Sequence, residues 1–313
     1  MKLVFLDKKT VGDDISFDRF YHLGDVTEYD FSTPDEVPER VKDADVLIVN
    51  KIPVNEQTIG TAENLKLVCV TATGTNNLDK EYLERRNIAW RNVAGYSTES
   101  VAQHTFSMLF YLLEHLRYYD DYVKEGHYVN DVMFTHFERR FSQISNMTWG
   151  IIGLGAIGRR VADIAKMFGA NVIYYSASGS APQEGYTQVD FDTLLQTSDI
   201  VSVHAPLNEY TEHLMNAKAF GKMQPHAIFL NLGRGPIIVE QDLADALLNG
   251  TIAAAGLDVL DTEPMLPDNP LRALKDSDRL LITPHIAWAS VEARIRLMDI
   301  IADQIEEFFS ENH

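Results

Sequence analysis

Residues 148–158 read Thr-Trp-Gly-Ile-Ile-Gly-Leu-Gly-Ala-Ile-Gly and set a strand, a glycine turn and the start of a helix in immediate succession in the middle of the chain. In this order Gly153 permits the tight turn, Gly155 lets backbone approach a pyrophosphate, and Gly158 lets the helix pack closely on the strand. The helix start adds N–H groups that have no partner within the helix and can meet phosphates. A glycine pattern of this kind is weak by itself, since an ordinary structural turn has the same needs. Here Val161, Ile164, Ala165 and Phe168 give 159–168 a helical period, and a second strand at 171–175 closes a β-α-β unit, about 30 residues being the usual length. This context points to dinucleotide binding by Gly153, Gly155, Ala156, Ile157 and Gly158.

Before the fingerprint, up to about residue 97, strands are expected at 2–6, 46–50, 65–71 and 88–92 with a helix at 78–86, an α/β pattern with a parallel sheet. Ser97 or Thr98 can cap a helix whose positive end suits Glu99. Val101, Phe106, Leu109, Phe110, Leu113 and Leu116 carry its apolar period to about Lys124, with enough aromatic surface for an interface. After it, strands at 150–152, 172–175, 200–204, 228–232, 253–258 and 280–283 match a doubly wound sheet. Residues 290–311 read as a helix with no strand to follow, expected to cross back over the first unit.

Charge and cysteine usage narrow the classes. With 46 acidic against 27 basic side chains the formal charge is −19, which repels a nucleic-acid backbone or an anionic membrane, and no Lys/Arg cluster breaks the pattern. A small anion held by local donors remains compatible with this balance. No apolar run reaches membrane-spanning length and the amino terminus reads as a strand, so a cytoplasmic location is expected. Cys69 is the single cysteine and sits between Val68 and Val70, as a buried strand thiol would. The ten histidines show no metal-ligand spacing, and no metal is expected.

Ligands of an open α/β sheet gather beyond the carboxyl ends of its strands. Three residues stand there: Arg234 between Gly233 and Gly235, Glu263 before Pro264, and His285 after Thr283-Pro284. Singly, each has an ordinary explanation: a loop arginine in an ion pair, a solvated acid, a histidine bonded to a backbone carbonyl. Together they form a set. A guanidinium grips a carboxylate at two points, and a histidine held by a carboxylate supplies a proton to a carbonyl oxygen near neutral pH. In the first unit, the turn at Thr73-Gly74 offers backbone N–H groups to a substrate carboxylate, and Lys51 follows the second strand at a cleft rim.

Gly153 to Gly158, Asn231-Leu-Gly-Arg-Gly235, Gly256-Leu-Asp-Val259, Glu263-Pro264 and Thr283-Pro-His285, in this order and spacing, resemble the D-isomer-specific 2-hydroxyacid dehydrogenase family over nearly the whole chain. Within it, Ala72-Thr-Gly-Thr-Asn-Asn-Leu-Asp79, Gly95-Tyr-Ser-Thr98 and Tyr174-Tyr-Ser-Ala-Ser-Gly179 look most like glycerate dehydrogenases, the hydroxypyruvate reductases. The resemblance implies that Arg234 binds the carboxylate and carbonyl of a 2-oxo acid, that His285 exchanges the proton and that Glu263 orients and charges it. It implies cofactor contacts from Asp258 on the nicotinamide side and from His204, Ala205, Pro206, Leu232 and Gly233 after the middle strands. It also implies a fold of two Rossmann-like, doubly wound α/β domains with parallel sheets. A flavodoxin-like substrate domain, 1–97 plus 290–313, is then interrupted by an NAD(P)-binding Rossmann domain, 98–289.

Counting on from Gly158 to the end of the second strand reaches Ser176, where NAD-selective relatives carry an acid for the ribose hydroxyls. The carboxylate that would repel a 2′-phosphate is therefore missing. Against NADP, no Lys or Arg occurs between Lys166 and Lys218, so NAD is the expected cofactor and NADP the alternative. The expected reaction reduces a short 2-oxo acid to the D-2-hydroxy acid, hydroxypyruvate to D-glycerate first, with glyoxylate as side substrate. A D-lactate-type reductase and a nucleotide-sensing interaction protein without turnover are the competing readings. A homodimer is expected through helix 99–124.

Overall fold

A computed structural model describes residues 1–311; residues 312 and 313, which close the expected 290–313 stretch, lie outside the described residues. The chain divides into two compact units, one of Met1–Ser97 with the stretch beginning at Ala289, the other Thr98–Trp288.

In the first unit β1 (Lys2–Phe5), β2 (Asp25–Glu28), β3 (Val46–Val49), β4 (Leu67–Val70) and β5 (Ala89–Arg91) form one parallel sheet in the order β2-β1-β3-β4-β5. Both faces of β3 and β4 are covered, so Val-Leu-Ile-Val and Leu-Val-Cys-Val are buried throughout. Burial pushes the Cys69 thiol up to about 12, which leaves it a protonated packing group. The edge strand β2 escapes the sequence reading because Asp25-Val-Thr-Glu28 is half polar and partly exposed. The last helix, Val291–Glu311, belongs to this unit and buries Leu297, Met298, Ile301 and Ile305. Arg19 reaches Asp303 on it at 2.6 Å, and Gln304 donates to the Asn92 carbonyl at 3.0 Å.

The second unit holds a seven-stranded parallel sheet of β6 (Thr148–Ile152), β7 (Asn171–Tyr175), β8 (Thr187–Gln188), β9 (Ile200–Val203), β10 (Ile228–Asn231), β11 (Ala254–Leu257) and β12 (Leu280–Ile282). Their order, β12-β11-β10-β9-β6-β7-β8, reverses between β6 and β9 and places a topological switch point there. The two-residue β8 adds a seventh strand to the six expected.

Residues 98–124 depart from expectation. In place of one helix there are two, Thr98–Leu113 and Leu116–Lys124, separated at His115, whose φ of 52° is left-handed and ends the first helix. The apolar face expected at an interface covers this unit's own sheet: Val101, Phe106, Met108, Leu109 and Leu112 pack in one core with Trp149, Ile151 and Leu230. Each such buried side chain contributes about 1.5–3 kcal/mol of transfer free energy. Exposed apolar side chains occur instead just beyond, where Val132 and Phe134 are 102% and 90% exposed and Phe137 is 76% exposed. No described helix is long and apolar enough to cross a membrane.

Candidate active site

Parallel registry fixes the geometry at one end of the second sheet. Asn231 of β10 lies opposite Leu257 of β11, which lies opposite Ile282 of β12. The loops bearing Arg234, Glu263 and His285 therefore leave the sheet side by side, from strands about 4.8 Å apart. His285 Nδ1 stands 2.7 Å from Glu263 Oε2, and Glu263 Oε1 accepts the Leu260 N–H at 3.0 Å. A carboxylate only accepts, so Nδ1 carries a hydrogen and Nε2 is the nitrogen left to exchange a proton.

His285 has φ 54°, a region that β-carbon-bearing residues seldom occupy. Asp258, read from the sequence as a cofactor contact, is what holds this turn. It is 2% exposed. One carboxylate oxygen accepts from Thr283 Oγ1 at 2.6 Å and Ile286 N at 2.9 Å, the other accepts from Ala287 N at 2.9 Å, and its carbonyl accepts the His285 N–H at 2.9 Å. His104 joins through Nε2, 3.1 Å from Thr283 Oγ1. It braces the strand end that presents His285.

Arg234 is positioned by its neighbours. The buried Asn231 side chain donates to the Arg234 carbonyl at 2.9 Å and accepts from Gly233 N at 3.1 Å, stapling the loop. Gly235 lies so close to the next loop that a Cβ there would stand 1.9 Å from the Leu260 carbonyl carbon, so only glycine keeps the Arg234 and Glu263 loops in register. The Arg234 guanidinium donates through Nη1 to Gly233 O at 2.8 Å and pairs with no described carboxylate. In a chain with 46 acidic residues, a half-buried cation held this way is an available anion receptor.

At the switch point Gly153 has φ 92°, and a Cβ there would lie 2.7 Å from the Ala205 backbone, which draws the ends of β6 and β9 together. Gly155 is the N-cap of the helix Ala156–Met167, and nothing lies within 4 Å of the Cβ it lacks. Ala156, Ile157 and Gly158 thus start the helix beside open space, where their N–H groups have no intrahelical partner. A cavity of about 280 Å³ opens here, lined among others by Gly153, Gly155, Ser176, Ala205 and Pro206. Unfilled space, unpaired donors and a lining free of acids suit a dinucleotide. Arg159, on the fingerprint helix and so outside the 166–218 stretch, also lines this cavity. His204 bonds Ser202 at 3.1 Å through Nε2, while its buried Nδ1 has no partner among the described residues. Burial holds His204 down to about 3, so its ring is neutral. Leu232 is buried and Gly233 packs against the Ala205 carbonyl.

Lys51, Thr73 and Gly74 belong to the first unit, just beyond the carboxyl ends of the paired strands β3 and β4. Asp7, which sequence reasoning passed over, accepts the N–H groups of Asn50 at 2.9 Å and Lys51 at 2.8 Å and fixes that turn. Thr73 Oγ1 donates to Val93 O at 2.8 Å. A separate hollow of about 540 Å³ among Arg117, Tyr118, Tyr122, Arg139 and Asp278 lies at the amino end of β12, the end opposite His285.

Residues 106–287 match the family described as D-isomer specific 2-hydroxyacid dehydrogenase, NAD binding domain. The chain is 39% identical to a Haemophilus influenzae protein named as a 2-hydroxyacid dehydrogenase, covering 100% of this chain and 99% of that one. It is 37% identical to the hydroxypyruvate reductase of Blautia hydrogenotrophica, over 98% and 97% of the two chains. Among solved structures it resembles an acyclic imino acid reductase in complex with NADPH and D-Arg, with a TM-score of 0.88 at 30% identity, over 99% and 98% of the chains.

Proposed function

The chain belongs to the D-isomer specific 2-hydroxyacid dehydrogenase family, and from that premise we propose that it reduces a short 2-oxo acid, hydroxypyruvate first, to the D-2-hydroxy acid. The observation that carries this reading is the 2.7 Å contact of His285 with Glu263 at adjacent strand ends. Bound reduced nicotinamide supplies the hydride for the carbonyl carbon. His285 Nε2 delivers the proton to the carbonyl oxygen, while Glu263 accepts the Nδ1 hydrogen throughout and balances the imidazolium before transfer. Arg234 holds the substrate carboxylate and stabilises charge growing on the carbonyl oxygen. Asp258 keeps the His285 turn at its left-handed φ, so the imidazole is pre-oriented before substrate arrives. Lys51, Thr73 and Gly74 complete the substrate-binding set in this reading, and the cytoplasm is the proposed location.

A substrate panel tests it. Hydroxypyruvate differs from pyruvate by one hydroxyl, and a site built to hydrogen-bond that group rejects the analogue lacking it, so kcat/KM with NADH is expected to favour hydroxypyruvate over pyruvate by at least about tenfold. Glyoxylate is expected to turn over more slowly than hydroxypyruvate. A preference for pyruvate would support the D-lactate-type reading, and NADH binding without turnover of any 2-oxo acid would support a sensor.

For the homodimer, the surface proposed is the exposed apolar stretch around Val132, Phe134 and Phe137 in place of the helix face. Exposed aromatic and aliphatic side chains gathered in one short stretch are a candidate interface, and a second copy offers the same residues in return. Sedimentation equilibrium is expected to give twice the mass of one chain, and Phe134→Asp with Phe137→Asp to give a monomer; a monomeric parent protein would refute it.

A further inference from the structure

Glu263 stands on an exposed loop, and part of what holds that loop comes from a side chain outside it. Every residue of 261–268 except Met265 is exposed. The flanks of the loop are buried: Leu260 and Leu271 pack in one core with Leu243 and Leu247 of the helix Glu240–Leu248. Glu240, the first residue of that helix, takes hold of both ends. Its Oε1 accepts the Asp261 N–H at 2.9 Å, and its Oε2 accepts from Asn269 Nδ2 at 2.6 Å. Asn269 is itself buried, and its amide is fixed in this sense because its Oδ1 accepts the Leu271 N–H at 2.9 Å. Gly235 leaves room for the first bond, since a Cβ there would stand 2.3 Å from Asp261 N. One carboxylate thus closes the base of the loop that presents another.

We infer that Glu240 is a positioning residue for the reaction: by joining Asp261 to Asn269 it holds the Glu263 loop in the arrangement that sets the Glu263 carboxylate against His285. The inference rests on the roles proposed above for His285 and Glu263 and adds a residue that acts through them. An exposed backbone keeps its conformational freedom unless bonds remove it, and Glu263 serves His285 only within hydrogen-bond reach of Nδ1. Glu240 suits the task. Bonds to an ionised acceptor are stronger than neutral ones, and the amino end of a helix favours negative charge at its first residue. Asp242 shares that helix end and carries the same charge, but it is engaged elsewhere, accepting the Ala217 N–H at 2.7 Å. The two acids therefore separate the effect of the clasp from that of charge at the helix start.

A double-mutant cycle tests the role, with steady-state rates measured on NADH and the fastest oxo acid of the panel above for Glu240→Ala, Glu263→Ala and the doubly substituted protein. Glu240→Ala is expected to lower kcat about tenfold or more, as a small misplacement at the reacting centre does, with KM for the oxo acid held within about twofold. In the Glu263→Ala background the same exchange is expected to change kcat by less than about twofold, because no carboxylate is left to position. Glu240→Gln keeps the bond from Asp261 and loses the one from Asn269. Taken through the same cycle, it is expected to give a smaller loss that likewise vanishes without Glu263. Asp242→Asn is expected to leave kcat in place. Equal losses of kcat in both backgrounds would overturn the inference, as would a matching loss in Asp242→Asn. A raised KM with kcat retained would overturn it too, since Glu240 would then serve the Arg234 loop. In each of those results the parent still turns over, and the proposed function stands. A parent protein that reduces no 2-oxo acid would refute that function, and this role with it.

Discussion

His285→Gln is expected to lower kcat for 2-oxo acid reduction by about 10²-fold or more while leaving NADH binding nearly intact. The side chain replaced is the one whose Nδ1 is engaged by Glu263 at 2.7 Å and whose Nε2 remains for proton transfer. Glutamine keeps a polar group of similar reach and can still bond Glu263, but its amide neither gives up nor gains a proton near neutral pH. The substitution thus separates holding a substrate from protonating it. Cofactor contacts are spared because the glycine loop and the cavity beside it stand at the β6/β9 switch point, whereas His285 follows β12 at the sheet's far edge. The fold is spared because Asp258 grips the turn through backbone N–H groups and Thr283, none of which the exchange removes. Stopped-flow and steady-state rates check it: kcat falls, KM for the oxo acid changes little, and the NADH titration overlays the parent curve. Turnover within threefold of the parent would remove His285 from the chemistry.

Which parts of this arrangement were legible in the amino acids follows from how local their causes are. The glycine turn was readable because Gly153, Gly155 and Gly158 meet their constraints within one strand, turn and helix. Strands β3 and β4 were readable because double coverage makes each a continuous apolar run. The edge strands β2 and β8 were not, since one half-polar face or two residues carry no period. The break at His115 was invisible because apolar residues continue on both sides, and a left-handed residue there breaks no pattern of hydrophobicity. The partnership of Glu263 with His285 depends on register between β11 and β12, so each residue singly read as an ordinary loop group, and their shared place beyond strand ends together with family resemblance joined them. Asp258 was picked out by family resemblance, but its bonds to Thr283, Ile286 and Ala287 are contacts that no local pattern announces.

Arg234→Lys is expected to lower kcat/KM by about 10³-fold, through a raised KM and a reduced kcat together. Both residues are cations, so the size of the loss reads geometry and not charge. Asn231 and Gly235 fix the loop backbone, and the bond from Nη1 to Gly233 O sets the plane of the guanidinium, leaving its other donors to a ligand. A planar fork can hold a carboxylate at one pair of N–H groups and lean on the adjacent carbonyl oxygen. An ammonium on a flexible stem is a single point that must choose between them. Losing the grip on the carboxylate raises KM, and losing the contact to the oxygen that gains charge lowers kcat. The distinction from His285→Gln is diagnostic, since that variant moves kcat alone. Folding is expected to be unaffected, because the guanidinium is half exposed and its one internal bond is to its neighbour's carbonyl. A melting temperature within about 2 °C of the parent, corresponding to roughly 1 kcal/mol in a chain of this size, accompanies the kinetic loss. Kinetics within threefold of the parent enzyme would mean that charge alone suffices at residue 234, and the two-point hold on the oxo acid would have to be abandoned.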